Sequence, residues 1–312
     1  MSLDVNIRAM LDQMAAMAMP KFSELGPQAA RAATKASIFR GADTPIGRID
    51  NTSMKGPAGD LALRVYTPLK AEAAELPGMV FFHGGGFVIG DLDTHDDLCR
   101  VLSNQSGCRL VSVDYRLAPE APFPAAVEDC FAATRWVCDN AKDFGIVSNQ
   151  IAVGGDSAGG NLAAVVCQLA KANGPKLGFQ LLIYPVTQLA GPELPSMKEN
   201  AKGYFLERES MDWFTRLYCP EAAHRSDPRL SPLAASDLSG LPPAYVVTAG
   251  FDPLRDEGKA YADKLDAAGV PVTYVNYPGM IHGFFSMRSL IPKAKEAVAA
   301  SAAAVRAGLT QE

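Results

Sequence analysis

Gly155-Asp156-Ser157-Ala158-Gly159 decides how this chain is read. Before it, Gln150-Ile151-Ala152-Val153-Gly154 has the apolar character of a buried strand; after it, Gly160-Asn161-Leu162-Ala163-Ala164-Val165-Val166 opens an apolar helix. A Gly-x-Ser-x-Gly stretch between a strand and a helix reads as a nucleophile elbow. Its turn is so tight that a Cβ two positions to either side of the serine would meet neighbouring backbone, which leaves glycine at both places. The turn lifts the hydroxyl to the top of the sheet and points the positive end of the next helix at it. Five residues alone are a weak signal, since turns draw on glycine and serine everywhere. The order of the surrounding segments strengthens it.

Outward from the elbow, residues 78–82, 110–114, 179–184, 244–249 and 272–276 read as short strands, and 61–66 alternates like one. Helix-like runs cover 96–103, 125–140, 162–172, 261–268 and 293–306. Strands alternating with helices predict an α/β fold with a parallel or mostly parallel sheet covered on both faces. Residues 186–240, rich in Pro, Ser and Leu, break the rhythm and read as an insertion between two sheet strands. The first 45 residues read as amphipathic helices, with Met10, Met14 and Met17 on one face. That face either packs on the domain or belongs to a lid, for which flexible thioethers are suited. The expected organisation is N-terminal cap helices at 1–45, core at 46–185, a cap insertion at 186–240 and the rest of the core at 241–312.

A serine hydroxyl needs a base beside it, and four histidines are available: His83, His95, His224 and His282. His282 sits in Gly279-Met280-Ile281-His282-Gly283-Phe284, beyond the C-terminal end of a strand, the edge where α/β proteins put their sites. Asp252 follows another strand through Gly250-Phe251 and is expected to hold the imidazole and stabilise its charge. Asp256 and Glu257 compete for that role but read better as charges at a helix start. His83-Gly84-Gly85-Gly86-Phe87, after the strand ending at Phe82, lets backbone N–H groups converge on an anion. Gly85 and Gly86, with Ala158 from the elbow, are therefore expected to form an oxyanion hole. A phosphate loop fits poorly, because no Gly-x-x-x-x-Gly-Lys follows.

These motifs carry a resemblance. His83-Gly84-Gly85-Gly86, Asp114-Tyr115-Arg116-Leu117-Ala118-Pro119-Glu120, Gly155 to Asn161, Asp252-Pro253-Leu254-Arg255-Asp256-Glu257 and His282-Gly283-Phe284 stand in the order found in bacterial hormone-sensitive-lipase-like esterases whose elbow reads Gly-Asp-Ser-Ala-Gly. The resemblance implies an α/β-hydrolase sheet of about eight strands under a helical cap. It also implies carboxylesterase activity on short to medium acyl chains without a cofactor, and the possibility of a homodimer through a strand at the sheet edge. Amide, thioester or sugar-acetate hydrolysis would use the same triad. A ligand receptor on this fold would be expected to have lost the histidine that is present here.

Several motif residues read as structural. Arg116 is expected to pair with Glu120, Glu128 or Asp129, Asp156 to anchor the elbow, and His83 to shape its loop. His95 and His224 read as satisfied or solvated. Phe87, Tyr184, Phe205, Leu206 and Ile281, with Trp213 and Phe285, are candidates for an apolar pocket wall.

Composition narrows the partners. The 312 residues are 48% hydrophobic and 20% charged, ordinary for a globular protein. The net charge of -5 argues against nucleic acid or an anionic membrane. Asp4, Arg8 and Asp12 interrupt the apolar pattern of the first 20 residues, against a secretory leader. The six cysteines are scattered, without metal-ligand spacing, and read as free thiols in a reducing cytoplasm. No metal is expected.

Overall fold

The computed structural model describes residues 2–17, 20–36, 44–71 and 75–310. The part of the N-terminal cap expectation that falls on residues 1, 18, 19 and 37–43 lies outside these. The chain opens with helices α1 (Val5–Ala16), α2 (Phe22–Leu25) and α3 (Pro27–Lys35), followed by the hairpin β1 (Arg48–Gly56) and β2 (Gly59–Thr67). Then come β3 (Leu76–Phe82), α4 (Asp96–Ser106), β4 (Arg109–Val113), α5 (Ala125–Asp139), β5 (Ile146–Asp156), α6 (Ala158–Asn173) and β6 (Phe179–Ile183). After β6 the chain forms α7 (Pro195–Glu199), α8 (Arg208–Tyr218) and two 3₁₀ turns, then returns through β7 (Ala244–Phe251), α9 (Arg255–Ala267), β8 (Val272–Ile281) and α10 (Pro292–Thr310).

The eight strands make one sheet in the order β1-β2-β4-β3-β5-β6-β7-β8. β2 runs antiparallel to both neighbours, and every pair from β4 to β8 is parallel. Strand periodicity sorts the side chains into two cores. Val80, Phe82, Val111, Val113, Val153 and Leu182 pack with α5, α6 and α9 on one face. Met79, Phe81, Leu110, Ala152, Leu181 and Ile183 pack with α1, α4 and α10 on the other. Because both faces are covered, the central strands read as continuous apolar runs. β1 carries no such run: only Met54 is buried along Arg48–Gly56, so its pairing is an edge pairing with little sequence signal.

α1 packs against the sheet. Ile7 and Met10 are buried there and Asp4 N–H donates to Gly279 C=O at 3.0 Å, while Met17 is exposed. Met10, with the partly buried Met14, thus covers the core while Met17 does not, and α2 and α3 are the N-terminal elements that reach the cavity described below, through Phe22 and Thr34.

Candidate active site

β5 ends at Asp156, Ser157 adopts φ +56°, and α6 begins at Ala158. The turn closes this tightly because a Cβ on Gly159 would collide with the Phe82 carbonyl oxygen and one on Gly155 with the Gly159 backbone. Ser157 N–H donates to Ile183 C=O at 2.9 Å, fixing the elbow to β6.

Asp252 follows β7 and His282 follows β8, so neighbouring strands deliver both to one edge. Ser157 Oγ lies 2.9 Å from His282 Nε2, and His282 Nδ1 lies 2.8 Å from Asp252 Oδ2. Asp252 is fully buried, and its other oxygen accepts from Leu254 N–H at 2.9 Å. A carboxylate only accepts, so Nδ1 carries the proton and Nε2 is left to accept from the serine hydroxyl.

Gly85 (φ +121°) and Gly86 (φ +59°) line the same cavity as Ser157 and His282. The turn is held by Val88 and Ile89 N–H groups donating to Gly85 C=O at 3.1 and 2.9 Å. Among the described residues no protein acceptor takes the N–H of Gly85, Gly86 or Ala158. A Cβ on Gly86 would enter the Phe214 ring.

Asp156 joins this loop to the elbow. Its Oδ1 accepts from Gly84 N–H at 2.9 Å and lies 3.2 Å from His95 Nε2, while Thr94 Oγ1 stands 3.0 Å from the other ring nitrogen. Burial pushes the Asp156 carboxyl up, but the His95 ring, by charge and hydrogen bond, with His83 and Gly84 N–H, holds it below the ordinary carboxylate range. His95 also lines the cavity, a placement its sequence position did not reveal. His83 is buried, stacked on Tyr115 with ring centroids 4.3 Å apart; burial and the His95 charge pull its pKa down to about 4, so it stays neutral. His224 is exposed beside Glu221.

Arg116 takes Asp129 in a bidentate grip, with Nε and Nη2 each at 2.8 Å; Glu120 pairs instead with Arg31 of α3 at 2.7 Å. Asp256 and Glu257 sit in the first turn of α9 and do not reach His282.

The cavity above Ser157 has a volume of about 360 Å³. Phe87, Phe205 and Leu206 line it as expected; Tyr184 and Ile281 do not. Ile281 is the last residue of β8, so when His282 faces the site its predecessor faces the opposite core. The Tyr184 ring is fully buried against His282, 4.6 Å between centroids, and supports the imidazole from the core side. Trp213 and Phe285 are likewise outside the lining. Phe22, Met211 and Phe214, which the sequence reading did not assign, supply much of the apolar wall.

The alpha/beta hydrolase fold family matches residues 79–286. The chain belongs to that family. Among its hydrolase relatives, esterase LipI of Mycobacterium tuberculosis is 45% identical over 265 residues, 84% of this chain and 82% of that protein. Carboxylesterase NlhH of the same species is 46% identical over 254 residues, 80% of this chain and 79% of that one. An ester hydrolase from the metagenome of Lake Arreo superposes with a TM-score of 0.95 at 45% identity, covering 99% of this chain and 100% of the other. A hyperthermophilic esterase from Pyrobaculum calidifontis gives 0.94 at 42% identity over 98% and 99%. The hydrolase is of the hormone-sensitive-lipase-like carboxylesterase type, a serine carboxylic ester hydrolase. Among the described residues no helix is long and apolar enough to cross a membrane, and no cluster of side chains has the makings of a metal site. All six cysteines are free.

Proposed function

We propose that the protein hydrolyses short- to medium-chain acyl esters through an acyl-enzyme, with Ser157 as nucleophile, His282 as base and then acid, and Asp252 as the group that orients His282. The observation that carries this reading is the continuous hydrogen-bond chain from Ser157 Oγ through His282 to Asp252, opening onto the cavity. Ser157 Oγ attacks the carbonyl carbon as its proton passes to His282 Nε2. The carbonyl oxygen turns anionic among the N–H groups of Gly85, Gly86 and Ala158. His282 returns the proton to the departing alcohol; it then takes a proton from the water that attacks the acyl carbon and gives it to Ser157 Oγ as the acid leaves. Asp252 holds the imidazole through Nδ1 throughout.

A cavity of about 360 Å³ lies at the small end of ligand sites, which favours compact esters. Helices α2 and α3 together with residues 186–240 act as the cap over this cavity. The same reading makes the partner a small-molecule ester in the cytoplasm, with β8 at the sheet edge as the place where a second copy would add. The test is hydrolysis of p-nitrophenyl esters across acyl lengths. Ser157→Ala and His282→Ala are each expected to lose about 10⁴-fold or more in kcat. Wild-type turnover by folded Ser157→Ala protein would overturn the assignment.

A further inference from the structure

Phe205 has a backbone that its residue type resists. Its φ is +69°, and Leu206 N–H donates to Tyr204 C=O at 2.8 Å, which closes a γ-turn with Phe205 at the centre. A γ-turn with positive φ is rare and strained, and a bulky aromatic is a poor occupant of that region. Glycine would take this φ freely, so the ring is not there for the turn. The turn is held from outside: Gly203 N–H donates to Glu207 Oε1 at 2.8 Å and Arg208 N–H to Ala201 C=O at 3.0 Å.

What the strain secures is a position. The Phe205 ring lies against Gly283, where a Cβ would stand 3.1 Å from the ring edge, and Gly283 directly follows His282. The preceding Tyr204 packs on Phe251, 5.1 Å between centroids, and Phe251 directly precedes Asp252. Two consecutive residues of the insertion thus rest on the neighbours of the acid and of the base, and Phe205 lines the cavity beside His282.

Proton transfer fixes what that part of the cavity holds. The leaving oxygen must lie within hydrogen-bond reach of His282 Nε2, so the group it carries sits beside His282. The acyl group stays on Ser157 after that alcohol has gone. We propose that Phe205 sets the specificity for the alcohol half of the ester, its ring forming the wall of the leaving-group side of the cavity. This rests on the roles given above to Ser157 and His282.

The two halves of the reaction separate the effects, because the acyl-enzyme no longer contains the alcohol. The experiment compares wild type, Phe205→Gly and Phe205→Leu, with Ser157→Ala as control. Acetates of ethanol, benzyl alcohol and 1-phenylethanol vary the alcohol; p-nitrophenyl acetate, butyrate and hexanoate vary the acyl group. Phe205→Gly suits the turn, and Phe205→Leu keeps an apolar side chain should the glycine loosen the loop. The expected result for Phe205→Gly is a change of about tenfold or more in kcat/KM for 1-phenylethyl over ethyl acetate. The acyl ranking and the single-turnover hydrolysis of the acetyl-enzyme stay as in wild type, and Phe205→Leu falls between. A changed acyl ranking, equal slowing of acylation and deacylation, or an unchanged alcohol ranking overturns the proposal. Activity surviving in Ser157→Ala would instead remove the catalytic reading beneath it.

Discussion

Glu257 allows a quantitative test of the electrostatics under the site. Its side chain is buried, with one oxygen accepting from Thr187 N–H at 2.7 Å and Gln188 N–H at 3.3 Å. The other oxygen has no partner among the described residues. Burial pushes the carboxyl from 4.5 up to about 8, against the pull of those two N–H groups and with help from the Asp252 charge. The unfolded chain releases this proton near pH 4.5, while the folded chain keeps it until about pH 8. The folded state therefore binds the extra proton across that window. Stability from this group is complete below the lower value, falls as pH rises, and levels off above the higher one. At about 1.4 kcal/mol per pH unit the window from 4.5 to about 8 amounts to on the order of 5 kcal/mol. Glu257→Gln keeps an oxygen for Thr187 and Gln188 and abolishes the titration. Urea unfolding of both proteins across this range is expected to show matching stabilities at the acid end. At the alkaline end the variant should be ahead by on the order of 5 kcal/mol. A wild-type-to-variant difference that does not vary with pH would refute the reasoning, since Glu257 would then carry the same charge folded and unfolded.

Asp156→Asn and His95→Ala are expected to loosen the glycine loop on the elbow and lower kcat about 10- to 100-fold with little change in KM, read from p-nitrophenyl acetate kinetics. Unchanged kcat in both would mean that the loop keeps its shape without them. Arg116→Ala leaves the buried Asp129 carboxylate without its bidentate partner. It should cost on the order of 3 kcal/mol in urea unfolding while the kinetics of the remaining folded protein stay as in wild type.

Segments whose environment is uniform were legible in the sequence. The central strands are buried on both faces, so 78–82 or 179–184 reads as an apolar run with no partner named. Ser157 and Asp252 were legible because each comes just after such a run; His282 follows the half-exposed edge strand β8 and stood out because only four histidines compete for the role. β1 was missed because it lies at the sheet edge, where Arg48, Asp50, Asn51 and Lys55 alternate with nothing apolar enough to mark a face. The segment 186–240 resisted reading for another reason. Outside α8 it is tied down by distant polar contacts, such as Asn161 Nδ2 to Leu230 C=O at 2.8 Å and Ser196 Oγ to Pro253 C=O at 2.8 Å, which leave no periodicity. His95 was underrated because its partner Asp156 is 61 positions away.

Backbone strain in this fold gathers at the site. Five described residues other than glycine have clearly positive φ: Lys70, Phe87, Ser157, Tyr184 and Phe205. Lys70 sits in an exposed turn. The other four surround one imidazole and one cavity. Such conformations cost about 1–3 kcal/mol each and persist only where neighbours over-determine them. Here the neighbours are identifiable. Phe87 is stacked on Tyr218 at 3.9 Å, Ser157 is held by Ile183 C=O, Tyr184 N–H donates to Val247 C=O at 2.7 Å, and Phe205 is closed in its γ-turn. Glycine is what marks a positive φ in a sequence, as at Gly85 and Gly86. An aromatic forced into the same region carries no such mark. Each of these four has a side chain that glycine cannot supply: a hydroxyl at Ser157, a ring behind the imidazole at Tyr184, and cavity walls at Phe87 and Phe205. The strain is thus concentrated where the side chain matters more than the backbone preference: Ser157, Phe87 and Phe205 could be named from the sequence, while their positive φ could not, and Tyr184 stands behind the imidazole instead of in the wall.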